Sequence, residues 1–138
     1  MEAKEQVLKA MGEFGEPVSR KHLAVEKKHC GLNCAQAVLC AYADIAGIDE
    51  ETAIRLSGPF GAGMGNMEGT CGAIVGAGLV LGLSGGSTRQ MRQIMNKFQE
   101  RNGATQCKLL KGIGTGKVLR DCSDCVADAA EFLEEQIG

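Results

Sequence analysis

The sequence predicts an all-α fold: a compact single-domain bundle of about six to seven helices over residues 1–138, with a central glycine-rich apolar helix. Strand signals are weak, because aromatic residues make up only 4% of the chain and no segment alternates apolar and polar residues among β-branched side chains. Apolar residues instead recur at helical spacing in segments that end at glycine. A chain of 138 residues fits one domain and needs no disulfides to build a core.

The first half of the chain predicts four helices with local start and stop signals. Asn33 and Asp49 are good helix N-caps, because their side-chain oxygens can accept from the free amides of a first turn. Gly47 ends the helix that Asn33 begins, and the buried face of that helix extends to Ile45. The four predicted helices are residues 7–14, 18–28, 34–46 and 50–56.

The second half begins with a glycine-rich loop over residues 58–69 and continues with an apolar helix from Cys71 to Leu83. Interior glycines cost a helix about 1 kcal/mol each relative to alanine. A helix that keeps them is expected to have neighbours packed on its backbone, so we place it at the centre. Ser87 or Thr88 caps the next helix, to about residue 102. A short turn at 107–110 and a final helix starting near residues 121–123 complete the bundle.

Composition limits the classes of function. A net charge of -2 and a pI near 5.7 argue against a nucleic-acid-binding protein, which usually has a basic face. The N-terminus shows no secretory signal, and the longest apolar stretch is far shorter than the roughly 20 residues of a membrane span. We therefore expect a cytoplasmic protein that binds neither nucleic acid nor membrane. Its apolar content is compatible with a homodimer.

Seven cysteines are the feature that points to chemistry. Their number is odd and no signal peptide is visible, so metal ligands, redox thiols or buried apolar residues are all more plausible than a disulfide framework. Cys122 and Cys125 form a C-x-x-C pair at a helix start, where free amides stabilise thiolates and both sulfurs can reach one metal or each other. Covalent haem would need a histidine at position 126, which is Val126.

The remaining cysteines carry weaker signals. Cys30 and Cys34 flank a turn into a helix, with His29 beside them as a further candidate ligand. Cys40 is rotated about 120° from Cys34 on an ideal helix and is expected in the core. Cys71 follows the glycine-rich loop at a helix start, and Cys107 precedes the cation of Lys108.

The segments GLNCAQAVL and FGAGMGNMEGTCGAIVGA, followed by the isolated Cys107 and by Cys122 before a final helix, resemble the C_GCAxxG_C_C family of redox-active proteins over roughly residues 20–135. A related cysteine domain occurs in split-Soret cytochromes, where it is thought to hold an iron–sulfur centre. The resemblance implies that four cysteines form the signature and act as metal ligands. These are Cys34, Cys71, Cys107 and Cys122.

Four thiolates fit an iron–sulfur cluster or zinc by number and softness. Their separations of 37, 36 and 15 residues are typical of ligands delivered by separate helices. Backbone amides of the glycine-rich loop are expected to surround Cys71, donate to its thiolate sulfur and tune such a centre. We assign that cofactor-binding role to Gly63, Gly65 and Gly72.

Four hypotheses remain open from the sequence. The first is an iron–sulfur or other thiophilic-metal protein in electron transfer to a redox protein partner. The second is a thiol–disulfide oxidoreductase using Cys122 and Cys125. The third is a helical module with structural zinc. The fourth is a helical protein whose cysteines are inert and buried.

Overall fold

A computed structural model describes residues 19–137, and in that range it contains α-helices and short helical turns with no β-strand. The all-α prediction is confirmed. The first predicted helix, residues 7–14, lies outside the described residues. The helices are α1 (Arg20–His29), α2 (Cys34–Ala41), α3 (Ala43–Ala46), α4 (Glu50–Ser57), α5 (Gly72–Leu83), α6 (Thr88–Asn102), α7 (Cys107–Leu110) and α8 (Cys122–Ile137). A 3₁₀ turn (Gly58–Phe60) and a π turn (Gly63–Met67) separate α4 from α5.

The predicted caps set the helix boundaries. Asn33 and Gln36 form a capping box at α2, with each side chain accepting from the other's backbone amide at 2.9 Å. Asp49 accepts from the amide of Thr52 at 2.7 Å and starts α4. Ser87 starts α6 by the same reciprocal arrangement. Because these signals are local, the sequence alone located them.

The glycine-rich helix α5 lies at the centre of the bundle, packed against α2 and α8. Close approach depends on Gly76, where an added Cβ would lie 2.7 Å from the carbonyl oxygen of Ala35 on α2. Ile74 and Val80 of α5 are fully buried. The predicted central position of this helix is therefore confirmed, and contact with a neighbouring backbone explains Gly76. Within the described residues, no helix is long and apolar enough to cross a membrane.

One predicted helix is broken in two. Residues 34–46 were expected to form a single helix, but α2 ends at Ala41 and α3 begins at Ala43. Tyr42 lies between them with a buried ring, and its hydroxyl donates to the carbonyl oxygen of Ala130 at 2.8 Å. The change of direction leaves Ile45 at 40% exposure. The prediction that Ile45 continues the buried face is wrong, because a tertiary hydrogen bond outweighs the helical periodicity.

Candidate functional site

Five of the seven cysteines line one small cavity between the helix ends. Its volume is about 10 Å³, comparable to one water-sized sphere. Leu110, Lys111 and Arg120 complete the wall. The five cysteines are Cys34, Cys71, Cys107, Cys122 and Cys125. All four cysteines of the predicted ligand set are thus brought together, and Cys125 joins them.

Cys34 enters the cavity as the first residue of α2. The capping box at Asn33 fixes the start of that helix. The side-chain amide of Asn33 also donates to the carbonyl oxygen of Gly58 at 3.1 Å. An added Cβ at Gly61 would lie 2.4 Å from the Asn33 side chain. The loop after α4 is therefore locked against the beginning of α2, which holds the Cys34 sulfur in place.

Cys71 and Cys107 are joined by a short antiparallel bridge. The amide of Cys71 donates to the carbonyl oxygen of Thr105 at 2.7 Å, and the amide of Cys107 donates to that of Gly69 at 2.9 Å. Thr70 and Gln106 form the bridge itself. Two cysteines 36 residues apart are thereby placed side by side.

Cys122 and Cys125 occupy the first turn of α8, as predicted for the C-x-x-C pair. Asp121 caps this helix by accepting from the amide of Asp124 at 2.9 Å. The strongest influence on the pKa of each thiol comes from a thiol on another element: Cys34 for Cys122, and Cys71 for Cys125. The cluster therefore consists of two pairs, with Cys107 beside them. We call Cys34 and Cys122 the outer pair, because Cys122 is partly exposed, and Cys71 and Cys125 the inner pair.

The outer pair favours one negative charge near neutral pH. A hydrogen bond from Cys122 lowers the pKa of Cys34 to about 7, against the effects of burial and of neighbouring Cys71. Backbone amides of Ala62 and Ala35 also donate to the Cys34 sulfur and lower the same pKa. The shared hydrogen bond and burial raise the pKa of Cys122. Cys122 therefore keeps the proton while Cys34 carries the charge.

The amide of Ala62 comes from a strained piece of backbone. Ala62 has a φ of 52°, and Met64 has a φ of 66°, both in the left-handed region that costs a non-glycine residue roughly 1–2 kcal/mol. Such strain often marks a functional segment. Here the left-handed backbone at Ala62 directs the amide of that residue toward the Cys34 sulfur. The sequence analysis predicted instead that the loop amides donate to the sulfur of Cys71.

The inner pair lies deeper and shows the same asymmetry. A hydrogen bond from Cys125 lowers the pKa of Cys71, and burial opposes it. The amides of Ala73 and Ile74, at the start of α5, also lower this pKa. The pKa of Cys125 is raised by the same hydrogen bond and by burial. Cys125 also points at the carbonyl oxygen of Arg120, 3.9 Å from its sulfur.

Burial raises the pKa of Cys107. The neighbouring thiols Cys71 and Cys122 act on it only through their charge. Gly63 packs on it, since an added Cβ would lie 2.5 Å from the Cys107 Cβ. A Cβ at Gly72 would lie 2.5 Å from the Cys34 sulfur. At Gly65, by contrast, a Cβ would meet nothing within 4 Å. Two of the three glycines assigned to cofactor binding thus touch the cluster, and the assignment itself stays a prediction.

Two cations line the cavity, Lys111 and Arg120. The sequence analysis singled out neither of them. Burial opposes the charge on Lys111, but Cys122, Cys107 and Cys34 outweigh it and raise the pKa of the ammonium group. Lys108, expected to act on Cys107 as its sequence neighbour, instead contacts Glu68 at 3.3 Å. The missed signal is helical spacing: Lys111 is four residues after Cys107 and so lies on the same side of the turn.

Arg120 is held at the cavity by a buried carboxylate. Its guanidinium donates twice to Asp128, at 3.0 and 3.2 Å. Arg101 and Asn102 also donate to Asp128, at 2.9 and 3.1 Å. This network ties α6, α8 and the segment after α7 together, and it fixes the carbonyl oxygen that faces Cys125.

The other candidate residues lie elsewhere. Cys40 is buried in the core on α2, as expected, and burial raises its pKa to about 11. Cys30 is exposed at the end of α1. His29 contacts the hydroxyl of Ser123 at 3.3 Å and does not line the cavity.

The donor set and the geometry differ in how well they fit a metal. Five thiols suit a soft metal by chemistry. Within residues 19–137, however, no group of three or more Cys, His, Asp or Glu side chains is arranged so that it could hold a metal ion. The five thiols are neighbours around one small cavity, and within it Cys122 lowers the pKa of Cys34 and Cys125 lowers that of Cys71.

A family model described as "Putative redox-active protein (C_GCAxxG_C_C)" matches residues 32–136. The chain belongs to the C_GCAxxG_C_C family. The matched span contains all five cysteines of the cavity, so membership in this redox family supports a redox role for the cluster. No curated protein and no solved structure gives a significant match.

Proposed function

We propose that this member of the C_GCAxxG_C_C family is a thiol–disulfide oxidoreductase that works through the outer pair. The observation that supports it is the position of Cys34 and Cys122 at one cavity, where the Cys122 thiol lowers the pKa of Cys34 to about 7. Cys34 is 4% exposed, whereas Cys122 is partly exposed. Access therefore favours Cys122 as the thiol that meets the substrate, with Cys34 as the resolving thiol.

The exchange has two steps. The Cys122 proton passes to Cys34 along their hydrogen bond, and the Cys122 thiolate attacks one sulfur of a substrate disulfide. A mixed disulfide forms, and the displaced substrate thiolate takes the proton from Cys34. The Cys34 thiolate then attacks the Cys122 sulfur and releases the second substrate thiolate. The substrate gains two electrons, and the outer pair becomes a disulfide that an external dithiol can reduce.

Nearby cations favour the first step. Lys111 hydrogen bonds to Cys122, and its charge opposes the rise in the pKa of that thiol. Lys28 adds a weaker effect of the same sign. A thiolate next to a cation is both more populated and a better leaving group, which speeds both directions of exchange.

The test is exchange with 2-hydroxyethyl disulfide by the fully reduced chain under anaerobic conditions. We expect a Cys34–Cys122 disulfide or its exchange product in the wild type. In a Cys34→Ser, Cys71→Ser double variant, which lacks both thiols placed to attack the Cys122 sulfur, we expect a stable mixed disulfide on Cys122, identified by peptide mass spectrometry. Cys30→Ser, which removes an exposed thiol outside the cavity, is the matched control and is expected to react as the wild type does. A mixed disulfide that forms only on Cys30 would contradict the proposal.

A thiophilic metal or iron–sulfur centre in electron transfer is the second candidate, favoured by the convergence of the four predicted ligands on one cavity. Lys111 and Arg120 line the same cavity and would offset part of the negative charge of such a centre. Anaerobic purification with iron, sulfide and zinc analysis separates the two candidates. Stoichiometric iron and sulfide that block thiol exchange would favour the second candidate over the first.

A further inference from the structure

The inner pair has no part in the exchange just described, yet it lies in the same cavity. Cys71 is 4% exposed and Cys125 is 2% exposed, so a substrate disulfide cannot meet either sulfur from solvent. Both thiols line the cavity of about 10 Å³ that the outer pair also lines. A cysteine that only fills the apolar core, as Cys40 does, lies outside this cavity.

The two pairs are in electrostatic contact across the cavity. Charge on Cys71 acts on Cys34, and charge on Cys122 acts on both Cys71 and Cys125. Cys122 and Cys125 are also one turn apart on α8, on the same side of the helix. Both members of the inner pair are therefore neighbours of the outer pair.

We propose that the inner pair is a second dithiol, which takes up the disulfide formed at the outer pair by internal exchange, so that the chain stores four electrons. This inference rests on the proposed exchange at Cys122. It assigns to Cys71 and Cys125 a storage role that the exchange with substrate does not require.

The internal exchange needs no external reagent. The Cys71 thiolate attacks the Cys122 sulfur of the Cys34–Cys122 disulfide and displaces the Cys34 thiolate. The Cys125 thiolate then attacks the Cys71 sulfur and displaces Cys122. One disulfide is broken and one is formed, and the two protons of the inner pair end on the outer pair.

Exposure and the nearby cation set the direction of transfer. Lys111 lines the cavity, and its charge favours the reduced, thiolate form of partly exposed Cys122. Stabilising a reduced form makes a dithiol pair more oxidising. Cys71 and Cys125 are only 4% and 2% exposed, and burial opposes a charge on either sulfur. A disulfide carries no charge, so the oxidised state is expected to move inward.

The test titrates the reduced, metal-free full chain with 2-hydroxyethyl disulfide, alkylates the remaining thiols after unfolding, and maps disulfides by peptide mass spectrometry. One equivalent is expected to give a Cys71–Cys125 disulfide with Cys34 and Cys122 alkylated. A second equivalent is expected to add the Cys34–Cys122 disulfide. A Cys34–Cys122 disulfide that persists, with Cys71 and Cys125 alkylated at both equivalents, would overturn the relay and leave the proposed function standing.

A variant separates the two claims further. In Cys125→Ala, a single disulfide is expected, and it should remain at Cys34–Cys122. Cys40→Ala, which removes a core thiol outside the cavity, should still take up two. Formation of two disulfides in Cys125→Ala would overturn the relay. No disulfide at Cys34–Cys122 in either variant, with both folded by circular dichroism, would count against the proposed function itself.

Discussion

Two cysteines of one helix, Cys34 and Cys40 on α2, have opposite surroundings. Both are buried, at 4% and 2% exposure. Cys34 accepts hydrogen bonds from Cys122 and from backbone amides, and its pKa falls to about 7. Burial and, after it, the charge of Glu50 raise the pKa of Cys40 to about 11, although Lys27 opposes them. Burial alone therefore does not decide the reactivity of a thiol, because donors at a helix start can outweigh desolvation.

The largest expected difference between these two cysteines is in disulfide exchange. Cys34→Ser removes the resolving thiol and leaves only the route through Cys71 and the external dithiol, so turnover of 2-hydroxyethyl disulfide should fall by about tenfold or more. Cys40→Ser should stay within about twofold, since Cys40 lies outside the cavity and touches no reacting sulfur. Steady-state release of 2-mercaptoethanol measures both. Equal losses of turnover in Cys34→Ser and Cys40→Ser would mean that the different surroundings of these two thiols do not affect exchange.

The contact between α5 and α2 offers a second comparison. Gly76 meets the Ala35 carbonyl oxygen, and an added Cβ would lie 2.7 Å from it. Gly76→Ala should therefore destabilise the fold by about 1–3 kcal/mol, the usual cost of overpacking. Gly82→Ala, on the same helix with nothing within 4 Å, should stabilise by up to about 1 kcal/mol through helix propensity. Urea unfolding measures both values.

Gly72→Ala, at the start of α5, is expected to perturb the thiols as well as the contact between α5 and α2. The Cβ of Gly72→Ala would lie 2.5 Å from the Cys34 sulfur and 2.8 Å from the carbonyl oxygen of Phe60. The sulfur must move, so this variant should slow exchange as well as lower stability, whereas Gly76→Ala should lower stability alone. If the two variants slow exchange equally, the geometry of the cavity depends on the whole contact between α5 and α2 and not on Gly72 alone.

The pH dependence of alkylation tests the contrast directly. The pKa of Cys34 is lowered to about 7, so the outer pair gains its negative charge as pH rises through that value. Alkylation of the outer pair by iodoacetamide should rise with pH and reach half of its plateau near pH 7. Cys40, with a pKa raised to about 11, should stay unmodified in the folded chain. Peptide mass spectrometry over a pH series follows both. A midpoint near 9.0, the ordinary value of the group, would contradict the assignment.

How much could be predicted from sequence depended on how local the signal was. Asn33 and Asp49 were predicted, and Ser87 was one of two candidates with Thr88, because a cap is decided by residues three positions apart. The convergence of Cys34, Cys71, Cys107 and Cys122 was expected from the family resemblance, and no local pattern could have given it. The bridge between Thr70 and Gln106 and the contact of Gly76 with Ala35 bring these segments together.

The pairing within the cluster was beyond the sequence. The C-x-x-C spacing indicated that Cys122 and Cys125 could act on each other, and that exchange pair remains a prediction. In the structure, one turn of helix places the two thiols opposite different partners, Cys34 and Cys71. The cation at the cavity was missed for a related reason: Lys108 is closer in sequence to Cys107, but helical geometry brings Lys111 to the sulfurs.

The smallest expected effect concerns those two lysines. Lys111→Met removes the ammonium group that hydrogen bonds to Cys122, so the alkylation midpoint of the outer pair should rise by about one pH unit. Lys108→Met is the matched control, because Lys108 contacts exposed Glu68 and does not line the cavity; its midpoint should stay at the wild-type value. The direction follows from charge alone: without the cation, the thiolate is less stable and the proton is held to a higher pH. A midpoint that shifts in Lys108→Met and not in Lys111→Met would show that the cation acting on the thiols is the sequence neighbour, and the electrostatic basis of the outer pair would need a different source.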